Sequence, residues 1–176
     1  GARAAVSVWG RCAKRAGRRT GVGLLAQAIP PAPAESFDPP SLIGYVGGYM
    51  ARAAASKVYE QAGIGPEDIQ VCELHDCFAQ NELLSYEALG LCATGEAEKF
   101  VMDGDNTYGG KVVTDPSGGL LSKGHPLGAT GLAQCYELTH QLRGTAEKRQ
   151  VEDVNLALQH NLGLGGACVV TLYGRN

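Results

Sequence analysis

The chain has no run of ~18 consecutive apolar residues, so its sequence offers no membrane-spanning helix. None of its six cysteines forms a Cys-x-x-Cys pair, and no secretory signal is visible. Reduced thiols are therefore expected, and a disulfide framework is not. The formal net charge is only −3, which points to neither a nucleic-acid nor a strongly charged partner. No internal repeat is present. Acid is missing altogether from residues 1–34, which carry Arg3, Arg11, Lys14, Arg15, Arg18 and Arg19. That basic start reads either as a mitochondrial targeting segment or as a poorly ordered stretch outside the domain. We place the boundary between residues 24 and 25, with residues 25–176 forming one domain. At 44% apolar residues over a 176-residue chain, there is material for one globular core.

Proline and glycine punctuate the chain. The Pro-rich stretch from Gln27 to Pro40 reads as an extended connector, and Gly44 to Gly48 as a loop. Alanines and Val58 at spacings of four predict a helix from Met50 to Ala62, ended by Gly63. Ile69 to Leu74 reads as a buried strand, with His75 to Phe78 as the loop beyond it. A second helix is expected over Asn81 to Leu89, and a turn-rich loop over Phe100 to Gly110. Asp103-Gly104-Asp105-Asn106 resembles the start of a calcium loop, but the required late glutamate is absent. Val112-Val113 reads as a short strand. Val154 to Gln159 and Ala167 to Tyr173 read as an antiparallel pair separated by a loop from Asn161 to Gly166. The order β-α-β-α-β-β implies an α/β fold, a mixed sheet covered by helices.

The most informative stretch is Ser122-Lys123-Gly124-His125-Pro126-Leu127-Gly128-Ala129-Thr130-Gly131. Pro126 suits the first position of a helix running to Arg143-Gly144, which would place His125 at the helix entrance. Free N–H groups and the positive dipole end favour a neutral imidazole there, and a neutral imidazole is a competent base. Three other stretches bear chemistry. They are Glu73-Leu74-His75-Asp76-Cys77-Phe78, Tyr108-Gly109-Gly110 and His160-Asn161-Leu162-Gly163-Leu164-Gly165-Gly166. Cys72, His75 and Cys77 lack the fourth ligand and paired spacing of a closed zinc site, so no metal is expected.

These motifs, with Ser117-Gly118-Gly119, occur in an order and spacing that resemble the C-terminal half of a thiolase. The His-Asp-Cys-Phe and His-Asn-x-Gly-x-Gly-Gly forms are similar to the sterol-carrier (SCP2) type within that family. The resemblance extends from about Leu25 to Tyr173. It implies Claisen chemistry on 3-oxoacyl-CoA, with coenzyme A as co-substrate and no bound cofactor. By resemblance, His125 activates a nucleophilic cysteine and Cys77 moves a proton at the α-carbon. His75 donates to the enolate oxygen. His160, Asn161, Gly163, Gly165 and Gly166 form the oxyanion-hole loop, and Ser117, Gly118 and Gly119 contact substrate. A thiol flanked by His75 is expected to have a lowered pKa. His160 reads equally well as a strand-end histidine with a structural hydrogen bond.

The family's nucleophile lies in an N-terminal half that is not among these residues, and the surroundings of Cys12 do not resemble it. The isolated chain is thus expected to be inactive, and its missing half to be a partner. A homodimer or tetramer, and a peroxisomal location with the mitochondrion as alternative, follow from resemblance alone. Asp115 stands where the family usually has Asn, which matters for His125 if the two lie near. The alternatives are a β-ketoacyl synthase-like condensing enzyme, or an inactive fragment or non-catalytic lipid-transfer partner.

Overall fold

The computed structural model describes residues 5, 7, 12, 15, 17, 21–31, 42–163 and 166–175. Five strands form one mixed sheet: β1 (Val22–Ala28), β2 (Val71–Glu73), β3 (Val113–Thr114), β4 (Leu156–Gly163) and β5 (Ala167–Arg175). Their spatial order is β1-β5-β4-β2-β3. β2 runs parallel to β3 and β4, while β5 pairs antiparallel with β4 and β1. The carboxyl ends of β2, β3 and β4 therefore share one edge of the sheet, where open α/β sheets carry their sites.

The helices are α1 (Leu42–Tyr45), α2 (Gly48–Ala62), α3 (Ala79–Ala88), α4 (Ala97–Met102), α5 (Gly119–Lys123) and α6 (Thr130–Arg143). Side chains alternate across each strand, so one sequence feeds two cores. Cys72, Leu158, Cys168 and Leu172 meet Ala54, Val58 and Tyr86 of α2 and α3 on one face. Val71, Val113 and Ala157 meet Leu138 and Leu142 of α6 on the other. The result is a three-layer α/β arrangement, in line with the expected mixed sheet covered by helices.

Helix α2 follows its alanine pattern closely. Gly63 ends it in the left-handed region at φ 67°, giving its N–H to the Tyr59 carbonyl at 2.8 Å. The strand pair β4–β5 also forms as expected, although β4 continues through His160 and Asn161 to Gly163.

Four local expectations need correction. Gly44, Tyr45 and Gly48 are helical, where a loop was expected. Ala97–Met102 forms α4 ahead of the turn-rich loop. β1 takes in Gln27 and Ala28, where an extended connector was expected, because its partner β5 lies at the other end of the chain. The helix after His125 starts at Thr130, not at Pro126. The Pro126 carbonyl instead accepts the N–H groups of Ala129 (2.8 Å) and Thr130 (3.1 Å), an isolated turn preceding α6.

Helix α6 also turns its faces in an unexpected way. Thr130, Gln134, Glu137 and Gln141 point inward with Leu138 and Leu142, while Leu132 is 37% and Tyr136 49% exposed. The buried polar groups are satisfied: Arg149 Nη2 pairs with Glu137 Oε2 at 3.0 Å, and Gln141 Oε1 accepts the Val151 N–H at 2.8 Å. This assignment of faces is testable. In the 176-residue chain, Leu138→Ala should lower unfolding free energy by ~2–5 kcal/mol, as for other buried leucines, and Leu132→Ala by well under half as much. Urea denaturation of the two variants checks it, and equal losses would reverse the assignment.

Candidate active site

The site is built at the shared carboxyl edge of β2, β3 and β4. β2 delivers Leu74 and His75 there, followed by Asp76, Cys77 and Phe78 before α3 begins. Residue pairing of Glu73 with Gln159 places the His75 loop beside His160. The His75 N–H points to His160 Nδ1 in a long contact of 3.5 Å. From the other side, the turn after α5 brings His125 against His75, ring centroids 4.9 Å apart and nearly perpendicular at 85°. Fifty residues separate these two histidines in the sequence, and the fold joins them edge to face.

Each imidazole has a distinct environment. His125 Nδ1 lies 2.6 Å from Thr130 Oγ1, and that hydroxyl reaches the Pro126 carbonyl at 3.3 Å. With the hydroxyl hydrogen given to the Pro126 carbonyl, the other contact is met by Nδ1–H donating to Thr130 Oγ1. That tautomer leaves Nε2 as the lone-pair nitrogen. His75 is buried, and loss of solvent pushes its pKa down to about 4, helped by His125 and opposed by Asp76. His160 is 1% exposed; burial, with His75 adding to it, takes its pKa down to about 3. His75 and His160 are therefore neutral at neutral pH. His75 Nδ1 and His160 Nε2 are sealed from water without a hydrogen-bond partner.

Cys77 departs from expectation. Burial pushes its thiol pKa up, against two backbone hydrogen bonds that lower it. The neighbouring His75 supplies no cation at neutral pH, so it gives no help to a thiolate. Cys77 is thus a thiol, a proton carrier in its protonated form.

The remaining expected residues lie close by but in varied roles. Asn161 is within β4, its amide donating to Gln134 Oε1 at 3.0 Å. Gly163 ends β4, and Gly166 turns at φ 103° into β5, while Gly165 lies outside the described residues. Ser117 faces Glu73, donating its hydroxyl to Oε2 at 2.7 Å and its N–H to Oε1 at 3.1 Å. Lys123 reaches Ser117 Oγ at 2.6 Å and Glu73 at 3.4 Å. Gly118, at φ 95°, starts α5, and Gly119 lies so close to the Asp76 carboxylate that any side chain would collide with it. Among the described residues, no group of three or more His, Cys, Asp and Glu is arranged to hold a metal ion, and no helix is long and apolar enough to cross a membrane.

Four further side chains shape the site, and two of them, Asn81 and Gln134, carried no sequence signal. Asp76 caps α5, accepting the N–H groups of Leu120 (2.6 Å) and Leu121 (3.3 Å). Asn81 donates to the His75 carbonyl at 2.6 Å. Gln134 is fully buried and donates to the Leu74 carbonyl at 2.7 Å. Asp115 is in the left-handed region at φ 47°, which Asn and Asp tolerate. Its Oδ1 accepts the Leu74 N–H at 2.8 Å, while Oδ2 is sealed without a partner.

The charges around Asp115 are all acidic: Glu73, Asp76 and Glu82. Burial first, and those carboxylates next, push its pKa well above the usual range. Burial pushes Glu73 up as well, against the pull of Lys123 and Ser117. A carboxyl held protonated by the fold binds more protons folded than unfolded. Its stabilisation is complete below the ordinary carboxylate range and fades as pH rises through the folded-state value. Asp115→Asn abolishes that fade while keeping the hydrogen bond to Leu74. The variant should therefore melt higher than the parent at pH 8, with the gap narrowing toward pH 4. Melting curves across that range check this, and a gap that is constant or of opposite sign contradicts it.

Comparison with known proteins gives the arrangement a lineage. Residues 46–174 match the family model described as Thiolase C-terminal domain-like. Sterol carrier protein 2 of Rattus norvegicus is 61% identical over 152 residues, covering 86% of this chain and 28% of that protein. The chain thus spans little more than a quarter of that relative's length. Among solved structures, an Ltp2-ChsH2(DUF35) aldolase superposes with a TM-score of 0.75 at 26% identity, covering 88% of this chain and 39% of the other. Human mitochondrial 3-ketoacyl-CoA thiolase superposes with a TM-score of 0.67 at 18% identity, covering 95% and 34%. With more than half its length matched to that model, the chain belongs to the thiolase C-terminal domain family.

Proposed function

We propose that this chain supplies the acid/base half of a thiolase-type site acting on 3-oxoacyl-CoA, with coenzyme A as co-substrate. The observation that carries the reading is the edge-to-face contact of His75 with His125 at 4.9 Å. It joins the loop bearing Cys77 to the loop bearing the candidate base. A Claisen-type cleavage needs such a juxtaposition, because one group must take a proton as another delivers one.

The roles follow from the protonation states. His125 Nε2 takes the proton of a nucleophilic cysteine, supplied by a segment beyond these residues. The thiolate adds to the 3-oxo carbon, and the resulting alkoxide collapses with cleavage of the C2–C3 bond. The bonding pair leaves as a thioester enolate. Cys77, a thiol at neutral pH, protonates its α-carbon. Coenzyme A then gives its thiol proton to the Cys77 thiolate and attacks the acyl-enzyme, and the departing cysteine thiolate takes back its proton from His125, regenerating both cysteines. His75 donates to the developing enolate oxygen, and His160 backs His75. Leu132 and Tyr136, exposed on α6, suit packing against the segment that brings the nucleophile. A dimeric or tetrameric, peroxisomal enzyme accords with this reading.

A second reading is carbon–carbon cleavage without an acyl-enzyme, favoured by the likeness to the aldolase at a TM-score of 0.75. Both are tested in the longer protein containing this chain. On the first reading, Cys77→Ala retains acyl-enzyme formation from an acyl-CoA but loses ~10²–10⁴-fold in carbon–carbon cleavage. His125→Ala instead slows acylation itself. Single-turnover labelling with radioactive acyl-CoA separates the steps. Cleavage with no acyl-enzyme at any time would favour the second reading. Acylation lost in Cys77→Ala and kept in His125→Ala would exchange the two roles.

A further inference from the structure

Thr130 and Gln134 stand one turn apart on the buried face of α6, and between them they reach all three histidine segments. Thr130 holds His125 Nδ1 at 2.6 Å. Gln134 is 0% exposed and uses both ends of its amide. Its Nε2 donates to the carbonyls of Leu74 at 2.7 Å and His160 at 3.0 Å. Its Oε1 accepts from Asn161 Nδ2 at 3.0 Å and Gln159 Nε2 at 3.3 Å. Two carbonyls on one side and two amide donors on the other fix the orientation of this group, and no other natural side chain of that length offers both. The Gln159 amide closes the ring by donating to the Gly131 carbonyl at 2.8 Å.

We infer that Gln134 is the positioning residue of the site, clasping the strand ends that carry His75 and His160 at a set distance from the His125 that Thr130 holds on the same helix. Gln134 touches no reacting atom in this scheme. Its effect passes through the Leu74 and His160 carbonyls to the adjoining imidazoles. The Leu74 carbonyl belongs to the peptide whose nitrogen is that of His75, so losing the clasp frees the His75 loop to move toward solvent. The inference deepens the thiolase reading, but its test needs no turnover, so either can fail while the other stands.

The test is histidine-selective NMR titration of the 176-residue chain and two variants. His75 faces His125, Asp76 and His160, and in the parent it should stay neutral down to about pH 5, below the ordinary histidine range. In Gln134→Met the loop rehydrates, and the His75 midpoint should rise by about one pH unit or more, a tenfold gain in proton affinity. Gln141→Met is the control. Gln141 is an equally buried α6 amide, 1% exposed, whose partners are Glu137, Arg149, Gln150 and Val151 rather than the histidine segments. It should lower the melting temperature without moving His75. An unmoved His75 midpoint in Gln134→Met, or an equal rise in Gln141→Met, overturns the inference. Should Gln134→Met not fold, the parent still decides. Hydrogen-bond couplings from the Gln134 side-chain amide to the Leu74 and His160 carbonyl carbons support the clasp, and rapid exchange of both amide hydrogens overturns it.

Discussion

Leu74, the residue before His75, is gripped from two directions. Leu74 donates its N–H to Asp115 beyond β3, and its carbonyl accepts from Gln134 on α6. Both partners are shielded from water, so neither bond can be exchanged for one to solvent without opening the core. Everything at the carboxyl edge of the sheet depends on that grip. It fixes where His75 meets His125, where Cys77 follows, and where Asp76 reaches across to start α5.

Burial does two kinds of work here. It strips water from His75 and His160 and so keeps them uncharged, a state fit for hydrogen bonding to an oxyanion or to a backbone amide but not for stabilising a thiolate. The same desolvation leaves Cys77 protonated. A protonated thiol on the loop of His75 and a neutral His75 packed edge to face against His125 are thus set by the fold rather than by solvent. The clustered carboxylates Glu73, Asp76 and Asp115 are the counterpart of this order. They brace the loops through backbone N–H groups, Ser117 and Lys123, and burial beside the other carboxylates pushes the pKa of one of them, Asp115, well above the usual range.

Much of this was legible in the sequence, for identifiable reasons. Alanine spacing and Gly63 define α2 locally, and the β4–β5 pair shows as two β-rich runs separated by a glycine-rich stretch. The motifs around His75, His125 and His160 named the segments that meet at the site, whereas Tyr108 bonds the Arg149 carbonyl instead. What escaped depends on distance or on context. Pro126 signals a helix start, yet its carbonyl closes a separate turn and α6 waits for Thr130. Gln134, Glu137 and Gln141 look like solvent-facing residues, because nothing local reveals that the sheet edge offers them carbonyls, an arginine and backbone amides. β1 gains its meaning only from β5, nearly a whole chain away. The expected low pKa of Cys77 assumed a charged His75, and burial removes that charge.

The central claim is that this chain moves a proton at the α-carbon of an acyl-CoA. Hydrogen exchange measures it without requiring carbon–carbon bond cleavage. A saturated acyl-CoA is incubated in heavy water with the longer protein that contains this chain, and deuterium at the α-carbon is followed by mass spectrometry. The account predicts steady incorporation that Cys77→Ala abolishes. Incorporation at the parent rate in Cys77→Ala, or none in the parent protein, would contradict it.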